Sequence, residues 1–162
     1  MKRLPRPDNN VSTIRQFDIS CLYAYIDCPT LFDMKLPTFQ RNFKWNEKQN
    51  IAFLESVVMR LPLGTYMVND IFTNNANIEY DHYLNNIIID GKHRLNALHL
   101  YFNDKFRVYD LLWSELDIKD KRWILGTPFL CIVLNEKNEC KLRDIYNHLN
   151  FSGTPHNENE KA

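Results

Sequence analysis

Asp90-Gly91-Lys92-His93-Arg94 places a carboxylate, a glycine, two cations and an imidazole within five residues. Ile87-Ile88-Ile89 precedes them and has the pattern of a buried strand. Asp90-Gly91 breaks that strand. From Lys92 the spacing becomes helical, with Leu95, Leu98 and Phe102 on one face. A buried strand that runs through a glycine turn into a helix presents free backbone N–H groups and the positive end of the helix dipole at one point. Arg94 adds a planar fork suited to phosphate. The chemistry these residues suit is anion binding, with phosphate as the anion.

Each member of the group has a structural role open to it as well. Gly91 serves a sharp turn and a close approach to ligand alike. Asp90 could cap the helix. A carboxylate beside a phosphate repels it unless a cation lies between, so Asp90 could instead hold Mg²⁺ or orient a water as a base. His93 could be structural, contact phosphate or act in catalysis. Lys92 is expected to be exposed, with a phosphate contact as its functional alternative. Arg94 is either a surface arginine in a salt bridge or a phosphate clamp.

A second block lies about fifty residues upstream, Leu36-Pro37-Thr38-Phe39-Gln40-Arg41-Asn42-Phe43-Lys44-Trp45. Gln40 and Arg41 follow a short expected strand (36–39) and precede a helix, so they could line the same cleft. Phe39, Phe43 and Trp45 are either core residues or stacking faces for a base.

These blocks resemble a known family. Asp-Gly-Lys-His-Arg is similar to the D-G-x-x-R loop of the ParB/sulfiredoxin-like superfamily. The block from Leu36 to Trp45 resembles the P-x-[YF]-Q-R-x-[YF]-x-W motif of one branch, the GmrSD-type type IV restriction subunits. Pro62-Leu63-Gly64 matches that branch's P-I-G, and Leu149 to Pro155 is similar to its late L-N-x-G-G-T-P block. The loop departs from the branch's D-G-Q-Q-R at Lys92 and His93, and agrees there with the ParB-like H-R form. It lacks the cysteine that sulfiredoxin chemistry needs.

The resemblance implies a single α+β, ParB/sulfiredoxin-like domain with a small mixed sheet and three to four helices. It implies nucleoside triphosphate with Mg²⁺ as ligands, and Gln40, Arg41, Gly91, Lys92, Arg94 and Asn150 about the phosphates. Asn150, Gly153 and Thr154 would belong to a late loop that closes the pocket. Three functions follow as expectations. One is a nucleoside triphosphatase with Asp90, His93 and Arg94 at its centre. Another is a binding module, decoy or regulator for DNA or a bacterial defence protein, of the kind a phage could carry in anti-restriction. The third, set lower, is a metal-dependent nuclease. The His-Asn-His nuclease domain and the helix-turn-helix region of larger relatives are not expected here.

Bulk properties set outer bounds. With 20 Lys+Arg against 20 Asp+Glu in 162 residues, the chain carries no net charge. That argues against a protein that coats nucleic acid through a basic surface, while leaving room for a local basic cleft. Cys21, Cys28, Cys131 and Cys140 form no CxxC pair and fit free thiols in a reducing cytoplasm. No membrane span or secretory signal is expected.

The surrounding elements must position the two blocks. Residues 1–13, with Pro5, Pro7 and several basic groups, are expected to form a flexible arm. Residues 14–156 form the domain and 157–162 a polar tail. Residues 20–26 suit a helix stopped by Pro29. Asn46, with Gln49 three residues on, suits a capped helix whose face is Ile51, Leu54, Val58 and Leu61, ended by Pro62 and Gly64. Strands are expected over 66–72, 78–83, 106–109 and 129–134, with a turn at 74–77. Ser114 suits the cap of a short helix to about 121. Asn138 suits the cap of a last helix with Leu142, Ile145, Tyr146 and Leu149 on one face. Tyr80, His82, His99 and His148 are expected to be structural.

Overall fold

A computed structural model describes residues 13–71 and 82–151. The N-terminal arm except Thr13, the turn at 74–77, Tyr80, the Gly153-Thr154 loop and the polar tail lie outside the described residues.

The elements run β1 (Thr13–Asp18), α1 (Ile19–Tyr23), α2 (Glu47–Val58), β2 (Thr65–Asn69), a 3-10 turn (His82–Leu84), β3 (Ile87–Asp90), α3 (Lys92–Phe102), α4 (Ile118–Leu125), β4 (Pro128–Leu134) and α5 (Glu139–Phe151). The sheet order is β1-β4-β2-β3. β1 pairs antiparallel with β4, β4 parallel with β2, and β2 antiparallel with β3 across a bulge at Met67 and Val68. This is a small mixed sheet in an α+β domain, with five helices among the described residues where three to four were expected.

The helices lie in two layers. Residues of α1, α2, α3 and α4 pack with Val68, Ile88, Cys131 and Val133 of the sheet into the larger core. On the other face α5, through Leu142 and Tyr146, covers Ile87, Ile89 and Leu134. The three consecutive isoleucines are all fully buried because alternate side chains serve the two cores.

Several expected elements form for the expected reason. Asn46 accepts from the Gln49 amide at 3.0 Å, and Gln49 accepts from the Asn46 amide at 3.0 Å, closing a capping box on α2. The Asn138 side chain accepts from the Cys140 amide at 2.9 Å at the start of α5.

Others differ. Residues 36–39 form no strand. Only Lys35 bridges to Ile87, and the chain then turns at Pro37, whose carbonyl accepts from the Gln40 amide. Tyr83 lies in the 3-10 turn rather than in a strand. Residues 106–109 form no strand either, because Val108 and Leu111 bond each other across a tight turn in which Tyr109 and Asp110 take positive φ. α4 is capped by Asp117, which accepts from the Lys119 and Asp120 amides at 2.8 Å each. Ser114 instead donates its amide to Asp104. The buried face of α2 is Asn50, Phe53, Leu54 and Val57, rotated from the expected one; Leu61 falls beyond the helix, where Arg60 takes φ of 54°.

Candidate functional site

β3 ends at Asp90, and Gly91 then takes φ of 85° as the N-cap of α3. The left-handed conformation is one that glycine adopts without a side-chain penalty. There is a second reason for glycine. A Cβ at this position would stand 2.6 Å from the Tyr66 Cβ and 3.0 Å from its Cα, so β2 passes directly against the turn. Asp90 is therefore not the helix cap. Its Oδ2 accepts from Nη2 of Arg94 at 3.0 Å. At the partial exposure of the two side chains such a pair contributes at most about 1 kcal/mol. Its consequence is orientation, since Nη1 of Arg94 also donates to the Leu63 carbonyl at 3.1 Å. The guanidinium is thus fixed between the P-L-G segment and the turn.

The upstream block reaches the same place through Gln40. Its Nε2 donates to the carbonyls of Ile88 and Ile89, continuing hydrogen bonding on the edge of β3 that faces away from β2. Gln40 thereby holds Arg41 beside the turn. Lys92, expected to be exposed, is only 7 % exposed, and its Nζ donates to the Arg41 carbonyl. Burial, then the charge of Arg41, pulls the Lys92 ammonium below its ordinary range.

The result is a cleft of about 270 Å³ lined by Gln40, Arg41, Trp45, Asp90 to Arg94, Tyr146 and Asn150, with Ile89 at its base. Among the described residues, three cations, Arg41, Lys92 and Arg94, face a single carboxylate, Asp90, at the positive end of an eleven-residue helix. A neighbouring hollow of about 260 Å³ shares Gln40, Arg41 and Lys92, and adds Leu36, Pro37, Thr38, Asn42 and Phe43.

His93 stacks on Trp45, with ring centroids 5.4 Å apart and planes 14° off parallel. Phe43 meets it edge-on at 5.9 Å. Both imidazole nitrogens are shut off from solvent and find no hydrogen-bond partner among the described residues. Burial lowers the His93 pKa first, followed by Lys92 and Arg41; Asp90 pulls the other way, and Lys44 adds the smallest lowering. The ring is therefore biased to the neutral form, which carries one donor and one acceptor.

The three candidate stacking rings differ in what remains open. Phe39 packs edge-on against Tyr146 and under the Arg143 guanidinium. Trp45 is half-buried, with His93 and Phe53 against it. Phe43 is 44 % exposed and lines the second hollow, with the Lys92 ammonium 5.4 Å from its centroid. Asn150 lines the cleft while its Nδ2 donates to the Tyr146 carbonyl one helical turn back. For Mg²⁺ the cleft offers one carboxylate among the described residues, and no three of His, Cys, Asp and Glu come together there. That donor set suits a cation held largely by ligand oxygens and water.

Three contributors went unnoticed in the sequence. Tyr146 looks like a core residue of α5, yet it lines the cleft and its hydroxyl accepts from the Arg41 amide at 3.5 Å. Leu63 and Tyr66 fix Arg94 and Gly91 through main-chain and Cβ contacts that no local pattern announces.

The fold and site define a small α+β domain with a cationic cleft at a strand–glycine–helix turn. Residues 25–125, more than half of the chain, match the family described as GmrSD restriction endonuclease, N-terminal domain, and the chain belongs to that family. The match spans every cleft residue except Tyr146 and Asn150. No curated protein and no solved structure matches the chain. Among the described residues no helix is long and apolar enough to cross a membrane.

Proposed function

We propose that this chain is a nucleotide-binding domain of the ParB/sulfiredoxin-like kind, acting in DNA restriction or in its evasion. The observation that carries the reading is the meeting of Gln40-Arg41 with Asp90 to Arg94 in one cleft with a surplus of positive charge. Phosphates of a nucleoside triphosphate would lie at the Gly91 turn, against Arg41, Lys92 and Arg94. The nucleoside would extend into the adjoining hollow, with its base beside the open ring of Phe43. Mg²⁺ would be shared between Asp90 and the phosphates, where it neutralises charge. The family's printed description supports the restriction setting.

A second reading is a module that binds without turnover, recognising a nucleotide, DNA or a defence protein. It is favoured by Asp90, whose carboxylate is already engaged by Arg94 and is the only one lining the cleft among the described residues. The metal-dependent nuclease reading finds no carboxylate–histidine cluster among the described residues to rest on.

Phosphate release from each nucleoside triphosphate with Mg²⁺ separates the first two. Release by wild type that is lost in Arg41→Ala identifies a hydrolase. Saturable binding without release identifies the module. Wild type that neither binds nor hydrolyses any of the four overturns both nucleotide readings. Arg41 is exposed, so its removal leaves the core intact.

A further inference from the structure

A larger hollow, about 540 Å³, opens between β1, β4 and β2 on one side and α1 with residues 32–34 on the other. Its size is within the range of sites for small organic molecules. Phe17, Leu22, Met34, Tyr66, Val68 and Val133 supply apolar walls. Tyr66 and Cys131 also line the hollow, and burial raises the pKa of both the hydroxyl and the thiol, so these two groups are uncharged at neutral pH. Among the described residues, the charges that line the hollow are two carboxylates, Asp33 and Asp70, and one guanidinium, Arg15. Asp70 is partly buried, and that burial raises its pKa against the opposing charge of Arg15. A cation brought to this wall would relieve the cost of its ionised form.

We propose that this hollow is a second ligand site, separate from the phosphate cleft, for a lipophilic cation: a ring-sized apolar body bearing one amine. The apolar walls exclude inorganic ions, and the excess carboxylate selects an amine over an acid.

The test uses two probes of one shape and opposite charge, 1-naphthylethylamine and 1-naphthylacetate. Each is titrated into the full chain while the methyl resonances of Met34, Val68 and Val133 are followed. The amine is expected to shift these methyls saturably and to bind about tenfold more tightly than the acid. In Asp70→Asn that preference should fall below about threefold. Three outcomes overturn the proposal: no saturable shift with the amine, equal affinity for both probes in wild type, or an unchanged preference in Asp70→Asn. Cross-relaxation from Leu4 or Val11 to the Val68 and Val133 methyls in the free protein would also overturn it, by giving the hollow to the chain's own N-terminal residues.

Discussion

Gly64 makes room for Arg94: a Cβ on Gly64 would stand 2.5 Å from the arginine's Nη1. Gly64 also takes φ of 72°, so a side chain there is strained before it meets anything. The P-L-G segment thus seats the arginine of the turn, with the Leu63 carbonyl as its acceptor. Gly64→Ala should lower stability by about 1–2 kcal/mol and displace the guanidinium. Urea unfolding reads the first effect. Weaker phosphate binding, in protein that is still folded, reads the second.

Gly91 faces a harder obstacle. The atoms a new Cβ would strike are Cα and Cβ of Tyr66, which cannot swing aside as the end of a side chain can. Gly91→Ala combines that overlap with a left-handed φ, and should cost on the order of 3 kcal/mol. A thermal midpoint lowered less in Gly91→Ala than in Gly64→Ala would contradict this ordering.

Asn69 is fully buried at the end of β2. Its Nδ2 donates to the carbonyls of Leu84, at 2.7 Å, and Glu136, at 2.9 Å, and its Oδ1 accepts from the Glu136 amide at 2.9 Å. One side chain therefore joins the approach to β3 to the connection between β4 and α5. Asn69→Ala would remove these three hydrogen bonds to buried backbone groups and should cost on the order of 3 kcal/mol. A loss below about 1 kcal/mol in denaturant unfolding would show that water replaces the amide there.

His93 and His99 give the stability a pH dependence of definite sign. Burial lowers both below the ordinary imidazole value of 6.5, with neighbouring cations adding to the effect at His93. Between 6.5 and the lower folded value the unfolded chain binds more protons, so their contribution falls as pH falls through that window. Asp70 acts oppositely in the range just above 3.8, where its raised carboxyl takes up a proton first in the folded state and adds stability as pH falls. A phosphate in the cleft should raise the His93 value. Imidazole resonances titrated with and without nucleoside triphosphate check this, and an unmoved or lowered value contradicts it.

What was legible in the sequence was local. Ile87 to Phe102 encodes strand, turn and helix within one continuous pattern, and Asn46 with Gln49 encodes a cap complete in four residues. What was illegible depended on partners far along the chain. Residues 36–39 look like a strand but form none: Lys35 makes the one bridge to β3, the chain turns at Pro37, and the Gln40 side chain then takes up the bonding. Lys92 looks exposed until the Arg41 carbonyl, 51 residues away, closes over it. Tyr146 has the spacing of a core residue, which it is, and only the packing of α5 beside β3 also brings it to the cleft.

The central claim is that the cationic cleft binds a nucleotide through its phosphates. Calorimetric titration of ATP, GTP, CTP and UTP with Mg²⁺ tests it most directly, on wild type, Arg41→Ala and Arg94→Ala. Saturable binding of at least one nucleotide to wild type is expected, weakened about tenfold or more by each substitution. Equal affinity in all three proteins, or no binding to wild type, would contradict the claim.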